Sequence, residues 1–153
     1  MTRTSFLRRF LPVFLLLLGI AATPSAQARE MVSVDRPEIN MRTGPGTQHE
    51  SLWLLSRGYP LQVLDRNGNW LQVQDFENDK GWVYRPLTAG KPHYVVKSKI
   101  VNIRRGPGTN TRVIGKANYG DVLRTLANKG DWAQVRDADG LVGWVARRLL
   151  WGW

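Results

Sequence analysis

The chain has 153 residues, no cysteine, 22 Lys and Arg against 12 Asp and Glu, and a formal net charge of +10. Without cysteine, disulfide staples, a thiol nucleophile, thiolate metal ligands and a lipid-bearing cysteine are all excluded. The basic excess suits an anionic partner or plain solubility equally and specifies no fold.

Taken in order, Arg3, Arg8 and Arg9 precede an apolar run from Phe10 to Ala22, followed by Ser25-Ala26-Gln27-Ala28. Charge, short apolar core and a small-x-small site are the order of a secretory signal peptide. A spanning helix needs about 20 apolar residues and this run has about 13, so cleavage after Ala28 is expected rather than a retained anchor. Residues 1–28 are therefore set aside as a leader. The remainder is expected in the periplasm or secreted, meeting the membrane only during export.

Beyond the leader, helix signals are nearly absent, and short alternating runs are broken by Gly, Asn, Asp and Pro. Val32-Ser33-Val34 opens the chain. Ile39 and Met41 alternate with Asn40 and Arg42, a half-buried strand. Thr43-Gly44-Pro45-Gly46-Thr47 stops it, since Pro45 lacks a donor and the glycines accept positive φ. Strands follow at Leu52–Leu55, Pro60–Leu64, Trp70–Gln74 and Gly81–Tyr84, with Asn67-Gly68 predicting a type I′ hairpin turn between the middle two.

From Ile39 to Leu87, this stretch returns as Val101 to Leu149, each match 62 positions after its partner and without a gap. About two in five paired positions are identical, which marks a duplicated structural unit. The second copy predicts strands at Val101–Arg104, Ile114–Lys116, Val122–Leu126, Trp132–Arg136 and Gly143–Ala146, with Tyr94-Val95-Val96 opening it. The expected organisation is a leader (1–28), a first domain (29–88), a linker (89–93) and a second domain (94–153). The expected fold is all-β, two tandem small barrels.

The order Asn-[Met/Ile]-Arg-x-Gly-Pro-Gly-Thr, then Gly-x-x-Leu, Gly-x-Trp-x-Gln-Val and Gly-Trp-Val resembles the bacterial SH3 (SH3b) domain family, over Val34–Leu87 and Val96–Leu149. Tandem copies behind a signal peptide look like its exported, periplasmic members. Copy one departs at Trp53, where copy two has Gly115, and Trp151-Gly152-Trp153 has no counterpart in copy one.

Catalytic constellations are missing from this pattern. His49 and His93 stand alone in a loop and a linker, no serine has a nucleophile-elbow context, and Asp75, Glu77 and Asp79 cluster in a turn. The Gly-Pro-Gly-Thr loops lack phosphate-loop spacing. No enzyme activity, cofactor or metal is expected. Arg42 and Arg104 precede the two loops and have two readings: a guanidinium fork for a carboxylate ligand, or a pin on the loop's own carbonyls. Trp70 with Trp132, and Trp82 with Trp144, are expected to place at least one member of each pair in a core.

Aromatics that do not repeat are candidates for surfaces: Trp53, Tyr59, Tyr84, Tyr119, Trp151 and Trp153. By resemblance, Trp53, Tyr59 and Tyr84 line a ligand groove in copy one and Tyr119 one in copy two. The rival reading puts Trp53 and the terminal tryptophans between the domains. The resemblance implies a non-catalytic envelope module that recognises peptidoglycan or its peptides. The alternative is a protein-interaction or scaffold module that docks an envelope enzyme or self-associates, anchored by Trp151 and Trp153. Nucleic acid is not an expected partner, because export makes the encounter rare. Ligand, oligomeric state and the orientation of the copies stay open.

Overall fold

The computed structural model describes residues 28–153, so the expected leader lies outside the described residues except for Ala28. Met31–Val34 (β1), Glu38–Arg42 (β2), Ser51–Ser56 (β3), Pro60–Asn67 (β4), Trp70–Gln74 (β5), Lys80–Tyr84 (β6) and Thr88–Ala89 (β7) form one antiparallel sheet. Its spatial order is β3-β2-β6-β5-β4-β1-β7. His93–Val96 (β8), Ile100–Arg104 (β9), Val113–Asn118 (β10), Val122–Lys129 (β11), Trp132–Arg136 (β12), Val142–Ala146 (β13) and Leu150–Gly152 (β14) repeat that order in a second sheet. Short 3-10 turns, Arg85–Leu87 and Arg147–Leu149, precede the closing strands. The all-β expectation holds. Each sheet has two strands more than the five alternating runs suggested: the opening segment pairs as a strand, β1 or β8, and the closing strand, β7 or β14, is only two or three residues long and is defined by its pairing with it.

Each sheet rolls around its own core. Val34, Ile39, Met41, Leu55, Leu61, Leu71, Val73 and Val83 come from six different strands and meet in one cluster, which a flat sheet forbids. The same eight positions, 62 residues on, are Val96, Val101, Ile103, Ala117, Leu123, Ala133, Val135 and Val145, and they form the second cluster. Leu55 and Leu71 have thus become Ala117 and Ala133. The second core is filled instead by Tyr94 and Leu150, with Leu141 and Leu149 packed against it. Cores tolerate such exchanges when total volume is kept.

Period-two alternation decides what reaches these cores. On β5, Leu71 and Val73 point in, so Trp70, Gln72 and Gln74 must point out. On β6, Gly81 and Val83 are buried and Trp82 is not. All four paired tryptophans are half-buried on the outer faces, and none belongs to a core cluster. This corrects the expectation that one of each pair anchors a core: parity with a buried Leu-Val or Ala-Val pair outweighs side-chain size. The Gly of the Gly-Trp-Val run has a steric role. A Cβ on Gly81 would lie 2.6 Å from Met41 Cγ and 3.0 Å from Arg42 O, and Gly143 is equally crowded by Ile103 and Arg104.

Bulges bend both sheets at matching places. Leu52 and Leu64 are the extra residues opposite β2 and β5 in the first sheet, and Ile114 and Leu126 in the second. An inserted residue leaves the ladder, and all four of these apolar side chains are exposed. The predicted type I′ turn is also corrected. Asn67 pairs with Trp70, so the two-residue loop is Gly68-Asn69, with positive φ at Gly68 and not at Asn69. Glycine alone at the first loop position is the type II′ pattern. It explains why copy two manages with Lys129-Gly130.

The two sheets touch at a small aromatic junction. Phe76 of the β5–β6 turn stands 6.3 Å from the Tyr59 ring and 5.2 Å from that of Tyr119, whose hydroxyl donates to Glu77. The ring of His93 covers Gly58, and its Nδ1 donates to Lys91 O at 2.9 Å. Trp53 is not part of this junction; it is 53% exposed on the sheet edge.

Core and outer-face positions predict different costs. Leu71→Ala is expected to lower stability by about 2–5 kcal/mol, the cost of a cavity. Trp132→Ala on the outer face is expected to cost below about 1.5 kcal/mol, since little of the full burial gain is at stake. Urea unfolding of both variants checks this, and equal losses would contradict the alternation.

Candidate functional site

On the outer face of the first barrel, β5 and β6 set Trp70 directly opposite Tyr84. Their rings lie 5.3 Å apart at 53°, a tilted aromatic pair. At the end of β2, Arg42 reaches the Gly-Pro-Gly-Thr loop, and its Nη1 donates to His49 O at 2.8 Å and Thr47 O at 3.4 Å. The loop is thereby held beside the aromatic pair. Asn40, Arg42, Thr47, Gln48, Trp70, Tyr84 and Leu87 enclose an open cleft of about 460 Å³. It offers two aromatic faces, amides and a hydroxyl for hydrogen bonding, and a guanidinium with donors to spare.

A cleft opens at the same place in the second barrel, at about 150 Å³. Asn102, Arg104, Thr109, Trp132 and Leu149 repeat the lining, and Arg104 Nη1 donates to Thr111 O at 2.8 Å. Among the differences, two change the chemistry most. Tyr84 has become Ala146, which removes the second ring. Pro86 has become Arg148, which adds a second guanidinium.

The residues singled out from the sequence are dispersed by the fold. Arg42 and Tyr84 come together in the first cleft and Arg104 lies in the second. Trp53 sits on edge strand β3, paired with Met41 of β2. At the matching Gly115 the space for a side chain is taken by Leu141. Tyr59 packs on the first core and Tyr119 on Phe76 at the junction, so neither reaches a cleft. Trp151 and Trp153 border a separate hollow with Lys97, Arg147 and Arg148. Sequence reasoning missed Trp70 and Trp132 as cleft residues. The signal was present, because each shares strand parity with a glutamine and opposes a buried Val.

Titratable groups near the junction serve the fold. Asp75 Oδ1 accepts from the backbone N–H of Glu77 and Asp79, both at 2.9 Å, and Asp137 caps the matching turn in copy two. Burial pushes the Asp75 carboxyl up, while those two backbone bonds pull it down. Carboxylate oxygens of Asp75, Glu77 and Asp79 lie within 4.8 Å of one another, the spacing that turn imposes. Burial pushes the Tyr59 phenol up, and the nearby Asp75 and Glu77 add to it. The bond to Glu77 raises Tyr119. Burial holds His93 below the usual histidine value. The ring of His49 lies against Gly44, inside its own loop.

Comparison with known proteins places these features. The family described as bacterial SH3 domain matches residues 35–90 and again 97–152. A Bacillus subtilis (strain 168) protein provisionally named N-acetylmuramoyl-L-alanine amidase YrvJ is 26% identical over 148 residues, covering 85% of this chain and 28% of its own length. The chain thus spans little more than a quarter of that relative. Among solved structures, NlpC2 from Trichomonas vaginalis has 14% identity and a TM-score of 0.35, with 83% of this chain and 49% of that one covered. An NlpC/P60 family protein from Bacillus cereus ATCC 10987 has 14% identity and a TM-score of 0.35, with 80% and 56% covered.

The two readings of Arg42 are separable. Lysine keeps the charge but not the fork onto the loop carbonyls. Arg42→Lys is expected to speed amide exchange at Thr43 and His49 about tenfold, the worth of one charge-assisted bond. Hydrogen exchange by NMR measures it, and unchanged rates would leave the arginine to a ligand alone.

Proposed function

This chain belongs to the bacterial SH3 domain family, and from that premise we propose that it is a non-catalytic binding module of the cell envelope that recognises peptidoglycan through its peptides. The observation that carries the reading is the outward tryptophan. Trp70 and Trp132 are retained at the same position of both copies, although neither core uses them, and each lines a cleft. An aromatic face that stability does not require suits a ligand. In the first cleft, Trp70 and Tyr84 hold an aliphatic side chain of the stem peptide, and Asn40 and Gln48 bond its backbone. The remaining donors of Arg42 pair with a carboxylate. Both histidines are packed against glycines, and Asp75 is committed to its turn. The leader-like order of residues 1–28 supports a place outside the cytoplasm.

Purified sacculi test the reading directly. The parent is expected to co-sediment with them above a charge-matched basic control protein. Tyr84→Ala is expected to bind a soluble stem-peptide fragment about tenfold more weakly with an unchanged melting temperature. Binding no better than the control would overturn the proposal.

A second reading, a protein-docking module, is favoured by one feature of β3. Leu52, Trp53 and Leu54 are all exposed on this edge strand, and Ser51–Ser56 contains no charge or proline. Edge strands are ordinarily blunted by such residues, and β10 in copy two has Lys116 where β3 has Leu54. On this reading the anchor is β3 rather than Trp151 and Trp153. Leu54→Lys, the substitution copy two already carries, is expected to abolish any concentration-dependent association seen by sedimentation velocity. Association that survives it would remove β3 from the account.

A further inference from the structure

The basic excess is not spread over the molecule. Residues 29–88 hold seven Lys and Arg against eight Asp and Glu, whereas residues 94–153 hold eleven against four. Nine of those eleven cations stand where copy one has a different residue: Lys97 matches Asp35, Arg105 Thr43, Arg112 Glu50 and Arg148 Pro86. Among the described residues every ion pair is made by Asp35 or Glu30, so no copy-two cation is paired with a carboxylate. One fold thus carries two different surfaces.

These cations follow a path. Arg105 N donates to Arg112 O across the neck of the Gly-Pro-Gly loop, which places the two residues side by side. Arg104, next in the chain, lines the small cleft together with Arg148. Arg148 also lines the hollow that holds Lys97, Arg147, Trp151 and Trp153, where Arg29 adds a further cation and Asp131 the one carboxylate side chain, so the loop, the cleft and the hollow adjoin. Arg104 and Arg147 are fixed by bonds to Thr111 O and Gly130 O, and each keeps further donors. Unpaired, partly preorganised guanidinium groups in a row suit repeated oxyanions better than a single ion.

We propose that copy two is a polyanion-binding surface. Its loop–cleft–hollow path takes a linear acidic polymer that bears repeated phosphate or carboxylate groups, and the leader-like order of residues 1–28 favours a polymer of the cell envelope. Copy one has no such path. The surface is independent of the Trp70–Tyr84 cleft, so failure of peptide recognition there leaves this proposal standing.

The test uses the chain from residue 29 onward, with long-chain polyphosphate and poly-L-glutamate as probes. The variant is Lys97→Asp with Arg105→Thr and Arg148→Pro. Each substitution installs the residue that the first barrel already carries at the same place. The control is Arg57→Glu with Lys80→Glu, which removes the same four units of charge from copy one. The parent is expected to bind at least one polymer, with affinity falling at least about tenfold between about 50 and 200 mM salt. The copy-two variant is expected to lose about tenfold or more at low salt and the control less than about threefold, with melting temperatures showing both folded. Tighter binding of one polymer identifies the oxyanion. Equal losses in variant and control would overturn the proposal, as would binding of neither polymer, or duplex DNA bound more tightly than both. If the variant does not fold, Lys97→Asp alone serves. It is expected to give a shallower salt dependence than the parent, and an identical one would likewise overturn the proposal.

Discussion

Each barrel depends on a single alternation: Leu71 and Val73, or Ala133 and Val135, enter the core from the middle of the sheet, flanked by residues that cannot. A barrel of about 60 residues buries little surface and has no spare core positions. Eight repeated positions are what both copies hold in common, and the remainder of the second core is supplied by Tyr94 and Leu150. Once those positions are assigned, the outer face follows. Trp70, Gln72 and Trp82 are outside because their neighbours are inside.

Duplication then lets one scaffold carry two chemistries. The arginine pin and the outward tryptophan are the same in both copies, and in each they form walls of a cleft. Residues that do not touch the core are free to diverge. Tyr84 became Ala146 and Pro86 became Arg148, and the cleft changed from a pair of rings to a pair of guanidinium groups. Divergence on the outer face has little energetic cost, whereas Leu71 could become Ala133 only with extra apolar residues supplied elsewhere.

Much of this was legible in the chain. The 62-residue offset revealed two units, and the Gly, Pro and Asn breaks located the main strands. The Asn-x-Arg-x-Gly-Pro-Gly run named the family, which the match over residues 35–90 and 97–152 shows. The departures have physical causes. Size argues for Trp70 in a core, but its parity with Gln72 is the stronger signal. Lack of a repeat marks Tyr59 and Tyr119 as groove candidates, yet an unshared aromatic equally suits a junction between copies, and Phe76 lies between them.

Local order is what the sequence determined alone: the main strands, the places of the turns, the duplication, the absence of thiol chemistry and the total charge. These depend on neighbours within a few residues, or on simple comparison along the chain. The tertiary structure decided which aromatics share a surface, that Arg42 is bonded to its own loop, and that Arg104, Arg148 and Lys97 lie along one path. Those relations join residues from seven positions apart, as Arg42 and His49 are, to about fifty, as Lys97 and Arg148 are. Bulges at Leu52, Leu64, Ile114 and Leu126 and the rolling of each sheet bring them together, and neither leaves a periodic trace in the amino-acid order.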